Sequence, residues 1–188
     1  MIQWLPISMF GVIAVSAIAA NALKNASDKD LSYVKDDHTI WIFRVLMPFS
    51  VIFSFVLAQM DPWKFNQLPL IDLIAVCLFV VGISIRWIAI VSLKKAFTVK
   101  VSILKDHQLK TDGVYRWVRH PSYTGMYIYG LGYGLAFQSF LCTALVLLAV
   151  WISTHKRITV EEAVLESHFG ENYQNYKARS WRLFPWIY

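Results

Sequence analysis

Four apolar runs dominate this sequence, at about Leu5 to Leu23, Ile40 to Gln59, Leu70 to Leu93 and Tyr123 to His155. About 20 apolar residues in a helix cross the hydrocarbon core of a bilayer. The first three runs approach that length once each, and the fourth is long enough to cross twice. Gln138 and Ser139 are polar residues near its midpoint. Two shorter helices, Ser122 to Ala136 and Phe140 to Ser153, are therefore expected as a tight hairpin, giving about five spans. Lipid offers the backbone no hydrogen-bond partners, so each open-ended segment must be helical. The expected fold class is an all-α integral membrane protein, with 1-188 as a single membrane domain. A hydrophobic content of 57% and a mean hydropathy of +0.47 exclude an ordinary soluble domain.

Positive charge sets the orientation. Lys24, Lys29 and Lys35 fall in the first loop, the third loop runs from Lys94 through Arg119, and Lys156 to Arg182 follow the last span. The second loop holds only Lys64. The positive-inside rule then predicts the N-terminus outside and the C-terminus in the cytosol. No Lys or Arg precedes Leu5, and Asn21 to Asn25 lacks a small-x-small cleavage site, so the first run reads as a retained helix and not a signal peptide. The net charge of +6 fits this sorting together with attraction to anionic headgroups; no basic groove motif points to nucleic acid. Cys77 and Cys142 lie inside apolar runs, where a small hydrophobe is expected and a disulfide is not. The five histidines show no metal-ligand spacing.

The chain divides unevenly. Residues 1-93 hold three helices and short loops, with Asn25 to His38 reading as a solvated turn. Residues 94-188 alternate polar and apolar segments, and chemistry is expected there. Thr98 to Ile103 alternates like a short strand, Asp112-Gly113 reads as a turn, and Pro121 bars helix at His120. Pro121 suits the first position of a helix, which places His120 beside open amide donors that attract an anion. Beyond the hairpin, His155-Lys156-Arg157 is expected to leave the membrane. A cytosolic helix would then begin at Glu161-Glu162, with Val160, Val164, Leu165 and Phe169 as its apolar stripe and Gly170 as its end. Tyr173, Tyr176, Trp181, Phe184, Pro185, Trp186 and Tyr188 read as an interfacial belt.

Three groups of polar residues stand out. Arg157 and Glu161 are four apart, which on spacing alone suggests an intrahelical ion pair; at a membrane mouth the same Arg can fork onto a carboxylate or phosphate while a Glu takes a cationic group. The octet Arg116-Trp-Val-Arg-His-Pro-Ser-Tyr123 precedes Gly125, Gly130, Gly132 and Gly134, glycines that suit close helix packing. Arg86 lies one to two turns inside its span and can either snorkel to the interface or face inward. Arg44, near its helix start, reads as snorkelling.

The ordered motifs His107-Gln-Leu-Lys-Thr-Asp-Gly113-Val-Tyr115, Arg119-His-Pro-Ser-Tyr-x-Gly125 and Arg157-x-x-x-Glu-Glu-x-x-Leu165-x-x-x-Phe-Gly170-x-x-Tyr173-x-x-Tyr176 resemble the isoprenylcysteine carboxyl methyltransferase family. The resemblance spans roughly residues 84 to 185 and leaves out the first two helices. It implies an integral-membrane methyltransferase that uses S-adenosylmethionine without a Rossmann domain, methylating the carboxylate of a prenylated cysteine. By position it implies a cytosolic cofactor pocket of Lys100, His107, Gln108, Leu109, Lys110, Tyr115, His120, Pro121, Ser122, Tyr123 and Glu161. Arg157 would hold the substrate carboxylate, and Arg86 falls where the family has an important arginine. Lys100 departs from the glutamine of eukaryotic members. Glu161 can meet the cofactor's ammonium, the amides of His120 to Tyr123 its carboxylate, and tyrosine rings its sulfonium. The prenyl tail would enter from lipid between the third span and the hairpin, and the cofactor from the cytosol beneath the loop 94 to 121.

Two other readings stay open. A phospholipid amine or small thiol could be the acceptor; an amine must lose a proton, for which His120 or Glu162 would serve as base. A non-catalytic transport or lipid-binding protein is the other, although transport usually leaves ionisable residues near the midplane. Neither reading calls for a metal or nucleic acid.

Overall fold

The computed structural model describes residues 4–23, 31–34, 38–60, 64–65, 68–93, 102–104 and 108–188. Among the described residues six α-helices carry the fold: α1 (Trp4–Ala22), α2 (His38–Met60), α3 (Pro69–Leu93), α4 (Pro121–Leu135), α5 (Phe140–Phe169) and α6 (Glu171–Ala178). Helices α1, α2, α3 and α5 are long and apolar enough to cross a membrane, whereas α4 has 15 residues and is shorter than a full crossing. Val15, Val45, Ile52, Leu73 and Val80 are all more than half exposed on α1 to α3. Such a girdle suits a hydrocarbon solvent and would associate in water.

Local chemistry explains the ends. Pro69 and Pro121 begin α3 and α4, where a missing N–H costs nothing. Ser139 caps α5 by accepting from the Cys142 amide at 3.0 Å, a bond worth about 1 kcal/mol. Gly170 ends α5 with φ +52, a conformation that favours glycine. The hairpin turn between α4 and α5 is tied to α3: Gln138 Nε2 donates to Asp72 Oδ1 at 2.7 Å and to the Leu68 carbonyl at 3.2 Å.

The core lies between α3, α4 and α5. Met126, Tyr133, Phe137, Cys142 and Val150 are fully buried there, with Phe137 edge-on to Phe55 of α2 at 5.0 Å between centroids. The glycines do what close packing requires. A Cβ on Gly132 would stand 2.5 Å from the Ala75 carbonyl oxygen, and one on Gly125 2.6 Å from the Gly82 carbonyl oxygen. Helices α3 and α4 therefore meet backbone to backbone.

Three expectations are corrected. The exit at His155 does not end a helix: α5 runs unbroken from Phe140 to Phe169, because a fall in hydropathy without Pro or Gly breaks no hydrogen bond. Residues Leu31–Val34, inside the expected solvated turn, form β1, paired antiparallel with β2 (Ser102–Leu104); 98–101 of the expected strand lie outside the described residues. The aromatic tail is divided. Tyr173 and Tyr176 are buried at 0% and 3% exposure, while Trp186 and Ile187 are more than four-fifths exposed. Side chains on one face of α6 thus serve the fold rather than the headgroups.

Candidate active site

The N-terminus of α4 and the middle of α5 meet at the end of the bundle away from the hairpin turn. A cavity of about 520 Å³ opens there. Its polar end is lined by Arg86, His120, Ser122, Tyr123, Arg157 and Glu161, and it continues along Met126, Tyr129 and Val146 into an apolar arm closed by Ile13 of α1 and Met47 of α2. The first two helices, without a motif in the sequence, are thus a wall of the site.

Residues Tyr123, Arg157 and Glu161 form one line. Arg157 Nε donates to Tyr123 Oη at 2.8 Å, and Tyr123 Oη donates to Glu161 Oε2 at 3.1 Å. The phenol of α4 stands between the two charged residues whose spacing on α5 suggested an ion pair. Arg157 is buried at 9% exposure, and the Glu161 side chain is about one-third exposed. Arg86 faces inward and donates from Nη1 to Ser122 Oγ at 2.9 Å, so the snorkelling alternative gives way. Arg44 is exposed and lies over Trp41 at 5.6 Å, on the rim of the same cavity.

Glu162, one residue on, does a different job. Consecutive helical residues point about 100° apart, and Glu162 turns away from the cavity into a cluster of cations. Its Oε1 takes Arg119 Nε at 3.1 Å and lies 3.2 Å from His120 Nε2, while Oε2 takes Arg182 Nη2 at 3.0 Å. The His120 side chain is 3% exposed. The other ring nitrogen, Nδ1, lies 4.0 Å from Glu161 Oε1. Arg119 also donates from Nη1 to the carbonyls of Ser180 and Lys177, so the chain's tail is buttoned to the start of α4. Sequence reasoning missed this cluster; its signal was the glutamate pair itself, which one helix cannot aim at one target.

The open amides expected at α4 are fewer than supposed. His120 N donates to the Arg182 carbonyl at 3.2 Å, Tyr123 N to the His120 carbonyl at 3.0 Å, and Pro121 has no N–H. Ser122 alone of the four keeps its amide without a backbone acceptor among the described residues. Tyr115, in a short 3-10 turn (Gly113–Arg116), lines the cavity and donates to the Ala89 carbonyl at 3.2 Å. Burial first, and then the nearby Glu161 charge, raise its phenol well above the ordinary tyrosine value. Lys110 reaches the cavity wall and pairs with Asp112 at 2.8 Å. Gln108 is exposed and Leu109 half-buried, and neither forms part of the wall. Lys100 and His107 lie outside the described residues.

Comparison with known proteins matches the model of the "Isoprenylcysteine carboxyl methyltransferase (ICMT) family" to residues 74–167, half of the chain. A "Protein-S-isoprenylcysteine O-methyltransferase" of Schizosaccharomyces pombe is 47% identical over 75 residues, 40% of this chain and 32% of the relative. Its namesake in Tribolium castaneum is 35% identical over 116 residues, 61% of this chain and 41% of the relative. The matches thus span well under half the length of these two relatives. A solved structure of "the eukaryotic intramembrane Ras methyltransferase ICMT" superposes with a TM-score of 0.71 at 26% identity, covering 97% of this chain and 65% of that one.

Proposed function

The chain belongs to the isoprenylcysteine carboxyl methyltransferase family, and from that premise we propose that it esterifies the carboxylate of a prenylated cysteine, or a similar lipophilic acid, with a methyl group from S-adenosylmethionine. The observation that carries this reading is the line Arg157, Tyr123, Glu161 at the junction of a polar and an apolar compartment. One end of that line suits an anion and the other a cation. When bound, S-adenosylmethionine supplies an electrophilic methyl group on a sulfonium.

The residues present fit both substrates. Glu161, a third exposed at the cavity wall, can take the donor's ammonium; the rings of Tyr115 and Tyr123 can face its cationic centre. His120 and Ser122 complete that side, with Ser122 N–H toward an anion. Pro121 presets the helix start. Lys110 closes the wall; Gln108 and Leu109 belong to the approach to it. Arg157 orients the acceptor carboxylate, and Arg86, holding Ser122, supports it. The apolar arm receives the lipophilic tail from the bilayer.

A carboxylate with a reference pKa of about 3.5 is already ionised at neutral pH. Its lone pair would form the new O–C bond as the methyl group's bond to the donor's sulfur breaks and the neutral thioether leaves, with no proton to move, so the chain contributes alignment and exclusion of water. An amine acceptor would need a base. Of the two candidates, Glu162 is held by three basic side chains and faces away from the cavity, which leaves His120 at the cavity wall as the base that reading would require. Charge sorting supports a cytosolic mouth for the cavity, with the N-terminus outside and the C-terminus in the cytosol, an odd number of crossings that requires the short α4 to span together with α5.

Methyl transfer from radiolabelled S-adenosylmethionine to a farnesyl-cysteine analogue, followed by base treatment, tests this. Base-labile volatile counts are expected. Arg157→Ala should lower turnover about 100-fold, the scale of misalignment, while the donor's Kd changes far less. Base-stable counts, or equal losses in both constants, would overturn the acceptor or the role of Arg157.

A further inference from the structure

A second cavity lies behind Glu162. It is an open groove of about 710 Å³ walled by α6 and the chain's tail, and it shares Arg119 with the first cavity. Four cationic side chains, Arg119, Lys177, Arg179 and Arg182, face one carboxylate, Glu162, an excess of three positive charges. Counting Glu166, which pairs with Lys177 at 3.4 Å, the excess is still two. That outer pair is about 40% exposed on both sides and holds Lys177 only weakly. Glu162 already has three basic partners, so it cannot neutralise the exposed Arg179. Among the described residues this charge is uncompensated, and a concave surface so charged concentrates anions.

The groove's surroundings say which anion. Immediately after Arg182 the chain packs against the membrane helices: Thr124 Oγ1 donates to the Leu183 carbonyl at 2.6 Å, and the rings of Phe184 and Tyr127 meet edge-on at 5.9 Å. From that position Trp186 and Ile187 project outward at 84% and 82% exposure. Cations lie on one side of this short segment and exposed apolar side chains on the other, as an interface between headgroups and acyl chains requires. We propose that the groove between α6 and the tail binds the phosphate of an anionic phospholipid headgroup, with Trp186 and Ile187 set into the bilayer beside it. Because Arg119 and Arg182 also hold Glu162, and Glu162 holds His120, the bound lipid rests directly behind the wall of the first cavity.

The site involves neither the first cavity's ligands nor turnover, so it is tested apart from the proposed reaction. The full chain in detergent at low ionic strength is titrated with phosphatidylserine or phosphatidylcholine, and retained lipid is counted by native mass spectrometry. One phosphatidylserine is expected to remain bound, in preference to phosphatidylcholine. Each Lys or Arg near an anionic surface is worth roughly fivefold in affinity, so Lys177→Gln with Arg179→Gln should weaken retention about 20-fold or more. Lys156→Gln, an exposed charge on α5 outside the groove, should leave it unchanged. Equal retention of the two lipids, or equal loss in both variants, would overturn the proposal. So would displacement of the lipid by inorganic phosphate at comparable concentration, which would make the groove a site for free phosphate.

Discussion

Glu161 and Glu162 are neighbours in sequence, and replacing each by alanine should damage different properties. The Glu162, Arg119 and His120 side chains are 9%, 9% and 3% exposed, and Arg182 is 19% exposed. Removing the carboxylate leaves at least two guanidinium groups poorly solvated and unpaired, a change that costs about 3–5 kcal/mol when one partner of a buried ion pair is lost. In a chain of this size the melting temperature should fall on the order of 10 °C. The damage has an address. Arg119 and Arg182 fasten the tail to α4, so trypsin should cut after Arg179 and Arg182 in Glu162→Ala at concentrations that spare the parent. Adding Arg182→Met should restore part of the stability, because it removes one unpaired cation. Glu161, partly solvated and outside that cluster, should change stability by less than about 1 kcal/mol and lose donor binding instead. A Glu162→Ala protein that melts within a degree or two of the parent with a protected tail would refute this account of the cluster.

Tyr123→Phe removes the hydroxyl between Arg157 and Glu161; hydrogen bonds to charged groups are worth about 1.5–3 kcal/mol of stability, so the melting temperature should fall by several degrees, and kcat/KM should fall about 100-fold as the two charged residues lose their alignment. Gly132→Ala drives a methyl group to 2.5 Å from the Ala75 carbonyl oxygen and should destabilise by at least about 1–3 kcal/mol, whereas Gly11→Ala, with nothing within 4 Å, should be neutral or mildly stabilising in the same melt. Burial pushes the Tyr176 phenol up to about 12, against the lowering influence of Arg119 and Arg179. The unfolded chain ionises its tyrosines near 10 and the folded one does not, so this stability is whole below about pH 10 and is lost as pH rises from there toward 12. Alkaline denaturation in that window should be shallower in Tyr176→Phe.

The spans were readable because lipid leaves the backbone few choices, and Pro121, Gly170 and the packing glycines follow from backbone geometry that a sequence displays. Arg157, Glu161, Tyr123 and His120 carried their neighbourhood in their spacing. What the sequence hid depends on rotation and partners. Nothing local distinguishes Glu161 from Glu162 until α4 and the tail are placed on either side of α5. Tyr173 and Tyr176 looked like interfacial aromatics because burial of a phenol needs an acceptor, and the one Tyr176 finds is the Tyr115 carbonyl at 2.6 Å, 61 residues away. Ile13 and Met47 line the site through shape alone, a property that leaves no motif.

The unbroken course of α5 makes it a gauge of fixed length. From Val146 in the apolar arm to Glu161 at the mouth is one stretch of helix, about 22 Å at 1.5 Å per residue. Deleting a single residue there would shorten the gauge by only about 1.5 Å but swing everything beyond it by about 100°. Arg157 would then face lipid or protein instead of the cavity. Length variation among natural or engineered variants should therefore be confined to the loops, and a chimera joined anywhere between 146 and 162 must preserve the count of residues before it preserves any identity among them.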